Sequence, residues 1–311
     1  MHPMDAMRIF VRVAELGSFT QAADERGLPK ATVSDAVRQL ESELGTQLLH
    51  RTTRRVRLTP DGERCLERSR DLLADFDETR ELFRRGGPSL RGRLRVDMSS
   101  GIARYLVVPA LPGFLRAHPD LQLELSSTDR RVDPVREGFD CVVRVGRTGD
   151  NRLVARPLGA FEVLNCASPG YLRERGTPRA PEELAGHTLI HYVQHFGAEP
   201  EGWESPDGAG GWRSMPMPGA LVVNNAEAYV AACVAGLGLI QSPITGLRAL
   251  IAEGRLVEVM PQHRAEPMPV TLLYPQRRNL PHRVAVFMDW LAATLRPHLI
   301  DWPPRPSMGA R

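Results

Sequence analysis

The sequence predicts a multidomain chain of α+β and α/β character: an N-terminal winged helix-turn-helix, a long linker helix and a C-terminal two-lobed α/β unit. Three observations predict it. Short 3.6-periodic segments punctuated by glycines fill the chain up to Gly45, and one long amphipathic stretch follows Thr59-Pro60. Beyond Gly86-Gly87-Pro88 the texture changes to strands alternating with helices.

The first helix is expected over Asp5 to Leu16, with Met7, Phe10, Val11 and Ala14 on one face and Asp5 favouring the positive end of the dipole. Gly17 ends it, and Ser18 caps a short second helix carrying Phe19, Ala22 and Ala23. That helix closes at Gly27. A third starts near Pro29 or Lys30 and runs through Val33, Val37, Leu40 and Leu44 to Gly45. Small residues at the crossing of the two short helices and a Gly-Leu-Pro turn make a helix-turn-helix over roughly residues 18 to 45, although any helical hairpin would suit them. The exposed face of the third helix decides between the two. Lys30, Ala31, Thr32, Ser34, Asp35 and Arg38 point outward, so short polar groups can reach base edges while Lys30 and Arg38 reach phosphates.

His50 to Thr59 follows, with Arg51, Arg54, Arg55 and Arg57 within seven residues. The pattern suits a two-stranded wing on a phosphate backbone or in a minor groove; a solvated basic loop is the plainer alternative. Global charge adds nothing, because 40 basic against 37 acidic residues leave only +3. Lys30 is the sole lysine, so arginine abundance reads as coding bias and only local clusters count.

Thr59-Pro60 starts a helix expected over Asp61 to Arg85. Positions 65, 69, 72, 76, 79 and 83 (Cys, Ser, Leu, Phe, Thr, Phe) alternate spacings of four and three, and Leu66, Leu73 and Leu82 widen the stripe. Such a seam pairs with a second copy or packs on its own chain. Two-fold pairing would set two recognition helices on successive major-groove faces.

In the remainder, Gly92 to Met98 alternates as a strand and Ser99-Ser100 caps a helix carrying Tyr105, Leu106, Val108, Leu111, Phe114 and Leu115. Leu121 to Leu125 is a strand, Val132 to Gly138 a short helix, and Cys141 to Val145 a strand again, which predicts a mainly parallel sheet. Phe161 to Cys166 is a further strand, followed by a turn-rich region to about Gly219. Ala220 to Val223 then leads to a helix ending at Ala235, with Asn224 and Glu227 as a capping box. Gly236 to Ile240 enters a buried strand, and a strand over Val270 to Tyr274 precedes a helix from Pro281 to Leu295. The domains expected are 1–59 for the winged helix-turn-helix, 60–88 for the linker helix and 89–301 for the two-lobed unit, with a flexible tail over 302–311. Lobe I would take about 89–161 and 268–301, and lobe II about 162–267. Ligands of open α/β sheets sit at strand ends near helix N-termini. Here those positions are Ser99, Ser100, Thr128, Arg144 to Gly146, Asn224 and Asn225, each of which serves equally as an ordinary cap or fold residue.

Rival functions find little support. Cys65, Cys141, Cys166 and Cys233 form no paired metal motif and read as reduced buried thiols. His187, His191 and His195 are spaced by four, but the stretch between them is β-prone rather than helical, so no metal is expected. No Gly-x-Ser-x-Gly, phosphate-loop or His-Glu-x-x-His motif points to an enzyme. No apolar leader and no membrane-length apolar run occurs, which argues against an exported solute receptor and for a cytoplasmic protein without a membrane partner.

The run from Met7 to Ala23 (MRIFVRVAELGSFTQAA) resembles the opening of LysR-type transcriptional regulators, as do Thr32 to Glu41, Leu44-Gly45, Leu48-Leu49, Arg51 to Arg54 and Leu58-Thr59. Ser168 to Leu172, Leu184 to His187 and Ala235 to Ile240 fit the effector part of that family more loosely. The resemblance implies a two-lobed domain like periplasmic binding proteins, with chain crossings near Phe161 to Ala167 and near Val270. It implies a homodimer or homotetramer on double-stranded DNA, a small organic co-inducer in the cleft, no other cofactor, and RNA polymerase as a further candidate partner. It maps DNA contacts onto Thr32, Ser34, Arg51, Arg54 and Arg55, and the effector position onto Ser99 and Ser100. The chain departs from the family where Pro29-Lys30 replaces a common Ser-Pro and where Asp35 replaces a basic or amide residue. A carboxylate there repels phosphate but accepts a hydrogen bond from cytosine N4.

Overall fold

The computed structural model describes residues 1–51, 56–81, 90–147, 153–276 and 280–302. Two compact units emerge: Met1–Arg93 with His118–Gln122, and Leu94–Ala117 with the chain from Leu123 onward.

The first unit opens with α1 (Pro3–Leu16), α2 (Phe19–Arg26) and α3 (Lys30–Leu44). His2 and Ser18 cap the first two helices through Met4 N–H and Gln21 N–H, and Gly17, Gly27 and Gly45 end all three in the left-handed conformation. Burial on α1 centres on Ala6, Ile9, Phe10 and Val13, with Met7 and Val11 only half-buried. The apolar face is therefore rotated from the expected stripe, because α1 packs against both α3 and the later α4 and must serve two neighbours. Ala22 and Ala23 are buried where α2 crosses, and Val33, Ala36, Val37 and Leu40 carry the inner face of α3.

The wing is present as β1 (Leu49–Arg51) and β2 (Val56–Leu58), antiparallel with His50 opposite Arg57. Its tip, with Arg54 and Arg55, lies outside the described residues. Glu41 of α3 accepts Leu48 N–H at 2.9 Å and Leu49 N–H at 3.1 Å, so the third helix itself anchors the wing. Thr59 then caps α4 (Pro60–Glu81), its hydroxyl accepting Gly62 N–H at 2.9 Å. Only glycine fits at 62, since a Cβ there would stand 1.9 Å from the Leu48 carbonyl oxygen.

The expected seam on α4 divides in two. Ser69 is buried and Cys65 half-buried on the side packed against α1, whereas Leu72 and Phe76 are 50% and 41% exposed. The residues of the seam nearest the helix-turn-helix complete its core, and only the later positions remain for another partner. Phe83 and Leu82 lie outside the described residues, as does the chain from 303 onward, expected to be a tail.

β3 (Gly92–Met98), which leads into the second unit, is followed by a helical run of three parts: α5 (Ser100–Ile102), a π turn (Ala103–Val107) and α6 (Val108–Ala117). Next come β4 (Leu121–Ser127), α7 (Pro134–Glu137), β5 (Cys141–Val145) and β6 (Leu153–Phe161). After Glu162 the chain enters β7 (Val163–Ala167), α8 (Pro169–Arg175), β8 (His191–Tyr192), β9 (Trp203–Pro206), β10 (Trp212–Met215) and β11 (Val222–Val223). Then follow α9 (Ala226–Val234), β12 (Ile240–Pro243), α10 (Leu247–Ala252), β13 (Val257–Glu258), β14 (Met268–Pro275) and α11 (His282–Leu295).

One sheet has the order β4-β3-β5-β14-β6, and another has β12-β7-β13. These sheets define lobe I and lobe II. The lobe I sheet is mixed rather than mainly parallel: β3 and β5 are parallel, but β14 runs antiparallel to both β5 and β6. β14 returns from lobe II and so enters its sheet from the opposite end. β6 is absent from the sequence reading because Pro157 and Gly159 break its alternation; it is an edge strand, where proline is tolerated. The strand expected from Phe161 is split at Glu162, which separates the two sheets. Within the turn-rich region, β9 and β10 form a hairpin around the fully buried Trp203.

Candidate DNA interface and effector cleft

On α3 the outer face opposes a dry inner one. Lys30, Asp35 and Arg38 are exposed, and Thr32 and Ser34 are half-buried beside Val33 and Val37, which are fully buried. Arg38 Nη1 lies 3.4 Å from Asp35 Oδ1, and Nη2 donates to Ser34 Oγ at 3.5 Å. The carboxylate at position 35 thus comes with its own counter-charge one helical turn away. Pro29 is the N-cap of α3 and gives no side-chain cap hydrogen bond. The first-turn amides of the helix keep no capping oxygen, which suits them to a phosphate. His50 and Arg57, cross-strand partners in the wing, are likewise exposed. The sequence reading omitted both from its contact set, and strand alternation at positions 50 and 57 was the available signal.

In the second unit the expected ligand positions converge on two carboxylates that the sequence reading did not single out. Asp97, at the end of β3, is fully buried and pairs with Arg144 Nη2 at 2.5 Å, while Thr128 Oγ1 donates to it at 3.1 Å. Arg144 Nη1 also donates to the Val143 carbonyl at 3.0 Å. Arg144 and Thr128 therefore serve an internal ion pair.

Asp129 gathers the other group. Its Oδ1 accepts Ser100 N–H at 3.0 Å, and its Oδ2 accepts the Ser100 hydroxyl at 2.8 Å and Ala226 N–H at 2.7 Å. Ser99 is the N-cap of α5 but makes no side-chain cap bond. At α9 the cap is Asn225, whose Oδ1 accepts Ala228 N–H at 3.0 Å; Asn224 is exposed. The expected Asn224–Glu227 capping box is thus displaced by one residue, and Glu227 pairs across the cleft with Arg104 at 2.5 Å instead. A shallow cavity of about 310 Å³ adjoins this place, lined by Ser100, Arg104, Leu125 and Ser127 of lobe I and Glu227 of lobe II. Burial, with the charge of Asp129 adding to it, pushes the Tyr192 phenol up to about 12.

Among the described residues no three or more His, Cys, Asp or Glu side chains are grouped as metal ligands would be. His187 and His191 are buried in lobe II, where desolvation lowers the pKa of each, and His195 is exposed. The cysteines are all free, and burial pushes the Cys166 thiol up to about 12. Among the described residues no helix is long and apolar enough to cross a membrane.

Comparison with known proteins decides the family. Residues 4–63 match the family described as bacterial regulatory helix-turn-helix protein, lysR family, and residues 87–296 match the LysR substrate binding domain. The chain belongs to the LysR family of transcriptional regulators. Among its LysR relatives, the HTH-type transcriptional regulator YhjC of Escherichia coli K12 is 46% identical, over 96% of this chain and all of that protein. The HTH-type transcriptional activator AaeR of the same organism is 31% identical, with 94% and 93% coverage. Among solved LysR-type structures, CrgA of Neisseria meningitidis aligns with a TM-score of 0.59 at 28% identity, covering 94% of this chain and 98% of that one. Full-length AphB, a virulence activator of Vibrio cholerae, aligns at 0.56 and 28%, covering 95% and 99%. The chain is accordingly a LysR-type regulator with an N-terminal DNA-binding helix-turn-helix and a C-terminal effector-binding domain.

Proposed function

We propose that this LysR-family regulator acts in the cytoplasm as a homodimer or homotetramer, reading operator DNA with the outer face of α3 and its wing. Thr32, Ser34 and Asp35 supply the groove contacts, Lys30 and Arg38 reach phosphates, and Arg51, Arg54 and Arg55 follow the backbone or the minor groove. The observation that carries this reading is the two-faced α3: Val33, Ala36, Val37 and Leu40 are buried while Lys30, Asp35 and Arg38 stand in solvent, directly before the wing hairpin. The exposed Leu72 and Phe76 of α4 supply the pairing seam. A small organic effector is received at the Ser99-Ser100 turn, with Asn224 and Asn225 opposite. Thr128 and Arg144 support that turn through Asp97 rather than by direct contact.

The test is anisotropy titration of the full chain with a DNA site obtained by selection from random sequence, over a range of salt concentrations. A steep linear fall of log K with log salt, together with strong preference for the selected site, is expected. Equal affinity for unrelated sequences, or none for any, refutes the reading.

A further inference from the structure

We infer that Asp129 is a tethered ligand of the effector cleft: the chain's own carboxylate fills the hydrogen-bond donors between the lobes and clasps them together. The inference rests on the reading of the Ser100 turn as the effector position. The carboxylate accepts three hydrogen bonds, from the Ser100 amide, the Ser100 hydroxyl and the Ala226 amide, at 3.0, 2.8 and 2.7 Å. Ser100 opens the helical run of lobe I, and Ala226 opens α9 of lobe II. Both amides belong to the first turns of helices, which have no intrahelical acceptor and carry partial positive charge. Ser99 leaves its own helix without a side-chain cap, and Asp129, from a different segment of lobe I, takes that role while reaching the other lobe as well.

Two further contacts cross at the same place. Arg104 Nη1 lies 2.5 Å from Glu227 Oε2, one turn beyond Ser100 and one residue beyond Ala226. The Tyr105 ring packs against Gly246 of lobe II so closely that a Cβ at 246 would stand 2.5 Å from it. The Arg104 side chain is mostly exposed, so water screens its ion pair, whereas the Asp129 contacts are partly buried.

The consequence concerns ligand class. A small carboxylic acid could use these donors only by expelling Asp129, with the loss of three charge-assisted hydrogen bonds. The unmodified chain therefore responds weakly to simple carboxylates at this position, and removal of the Asp129 carboxylate creates a site for one.

Acetate is the probe. In the full chain, Asp129→Ala is expected to lower the melting temperature by several degrees. Acetate is then expected to restore most of that loss, in a concentration-dependent manner that chloride at equal ionic strength does not reproduce. The unsubstituted chain should melt identically in the two salts. An Asp129→Ala chain indifferent to acetate, or an unsubstituted chain equally stabilised by it, overturns the inference. If Asp129→Ala does not fold, amide hydrogen exchange in Asp129→Asn replaces the melting experiment. Faster exchange at Ser100 and Ala226 with unchanged exchange at Val230 supports the clasp, and unchanged exchange at all three overturns it. The effector reading is tested separately at Ser99, which takes no part in the clasp: a compound from a panel of small aromatic and aliphatic organic molecules that raises the melting temperature of the unsubstituted chain should lose that effect in Ser99→Ala. Acetate rescue of Asp129→Ala combined with an intact Ser99→Ala response would retain the clasp and refute that reading.

Discussion

Arg144 reaches across the parallel strands β3 and β5 to place its guanidinium 2.5 Å from the carboxylate of Asp97, which has no solvent exposure at all. A charge in that position requires a partner, because an unpaired buried carboxylate is costly. Arg144→Ala should therefore destabilise the chain by about 3–5 kcal/mol, read as a lower urea midpoint. An apolar replacement of the pair, Asp97→Leu with Arg144→Met, should recover much of the loss. A small effect of Arg144→Ala on stability, with a large one on effector affinity, would return this arginine to the ligand.

Gly62 couples the linker helix to the wing. Its missing Cβ makes room for the Leu48 carbonyl, which an added methyl would meet at 1.9 Å. Gly62→Ala should cost about 3 kcal/mol and weaken operator binding, because the wing strand beginning at Leu49 must shift. Thermal melts and anisotropy titrations on the same sample check both effects.

Arg38 and Asp35 form an ion pair on the exposed face of α3, the face proposed to read DNA. Arg38→Ala should lower affinity for all sequences and reduce the salt slope by about one counterion. Asp35→Ala should change which bases are selected, with little loss of nonspecific affinity. Site selection that returns the same sequence for Asp35→Ala would remove that residue from base readout.

The exposed part of α4 carries the next expectation. Phe76→Glu and Leu72→Glu should leave helicity intact, since neither side chain belongs to a buried cluster, yet convert the oligomer to monomer. Light scattering after size exclusion reads the mass. Operator affinity should fall with it, because a lone recognition helix contacts only one half-site.

His187 and His191 give lobe II a pH dependence of definite sign. Burial holds both below the ordinary histidine pKa of about 6.5, and nearby Arg175 depresses His187 further against the opposing charge of Glu183. The unfolded chain then binds more protons than the folded chain as pH falls below about 6.5, so stability drops on acidification through that range. Denaturation midpoints at several pH values should show a shallower acid loss in His187→Gln than in the parent chain.

Much of this architecture was legible in the primary structure because helices and strands record their buried faces as periods. Val33, Val37 and Leu40 are spaced for one side of α3 and lie in the core, and the glycines at 17, 27 and 45 end the helices where expected. The capping of α4 by Thr59 and the strand pairing of the wing follow equally local rules. Periodicity does not say how many neighbours a helix has. The inner face of α1 is accordingly rotated, and the seam of α4 turns inward at Ser69 but outward at Leu72. Nor does it reveal polar partners distant in the chain. Asn225 rather than Asn224 caps α9, which frees Glu227 for Arg104; Asp97 claims Arg144; and Asp129 joins Ser100 to Ala226, a residue 97 positions away. Each of these choices depends on where folding leaves a donor without an acceptor, and a buried donor takes whichever acceptor the packed backbone brings within reach. The sequence by itself determined the helices, the wing and which face of α3 stays exposed; only the tertiary structure decided which carboxylates gather at the ends of β3 and α9.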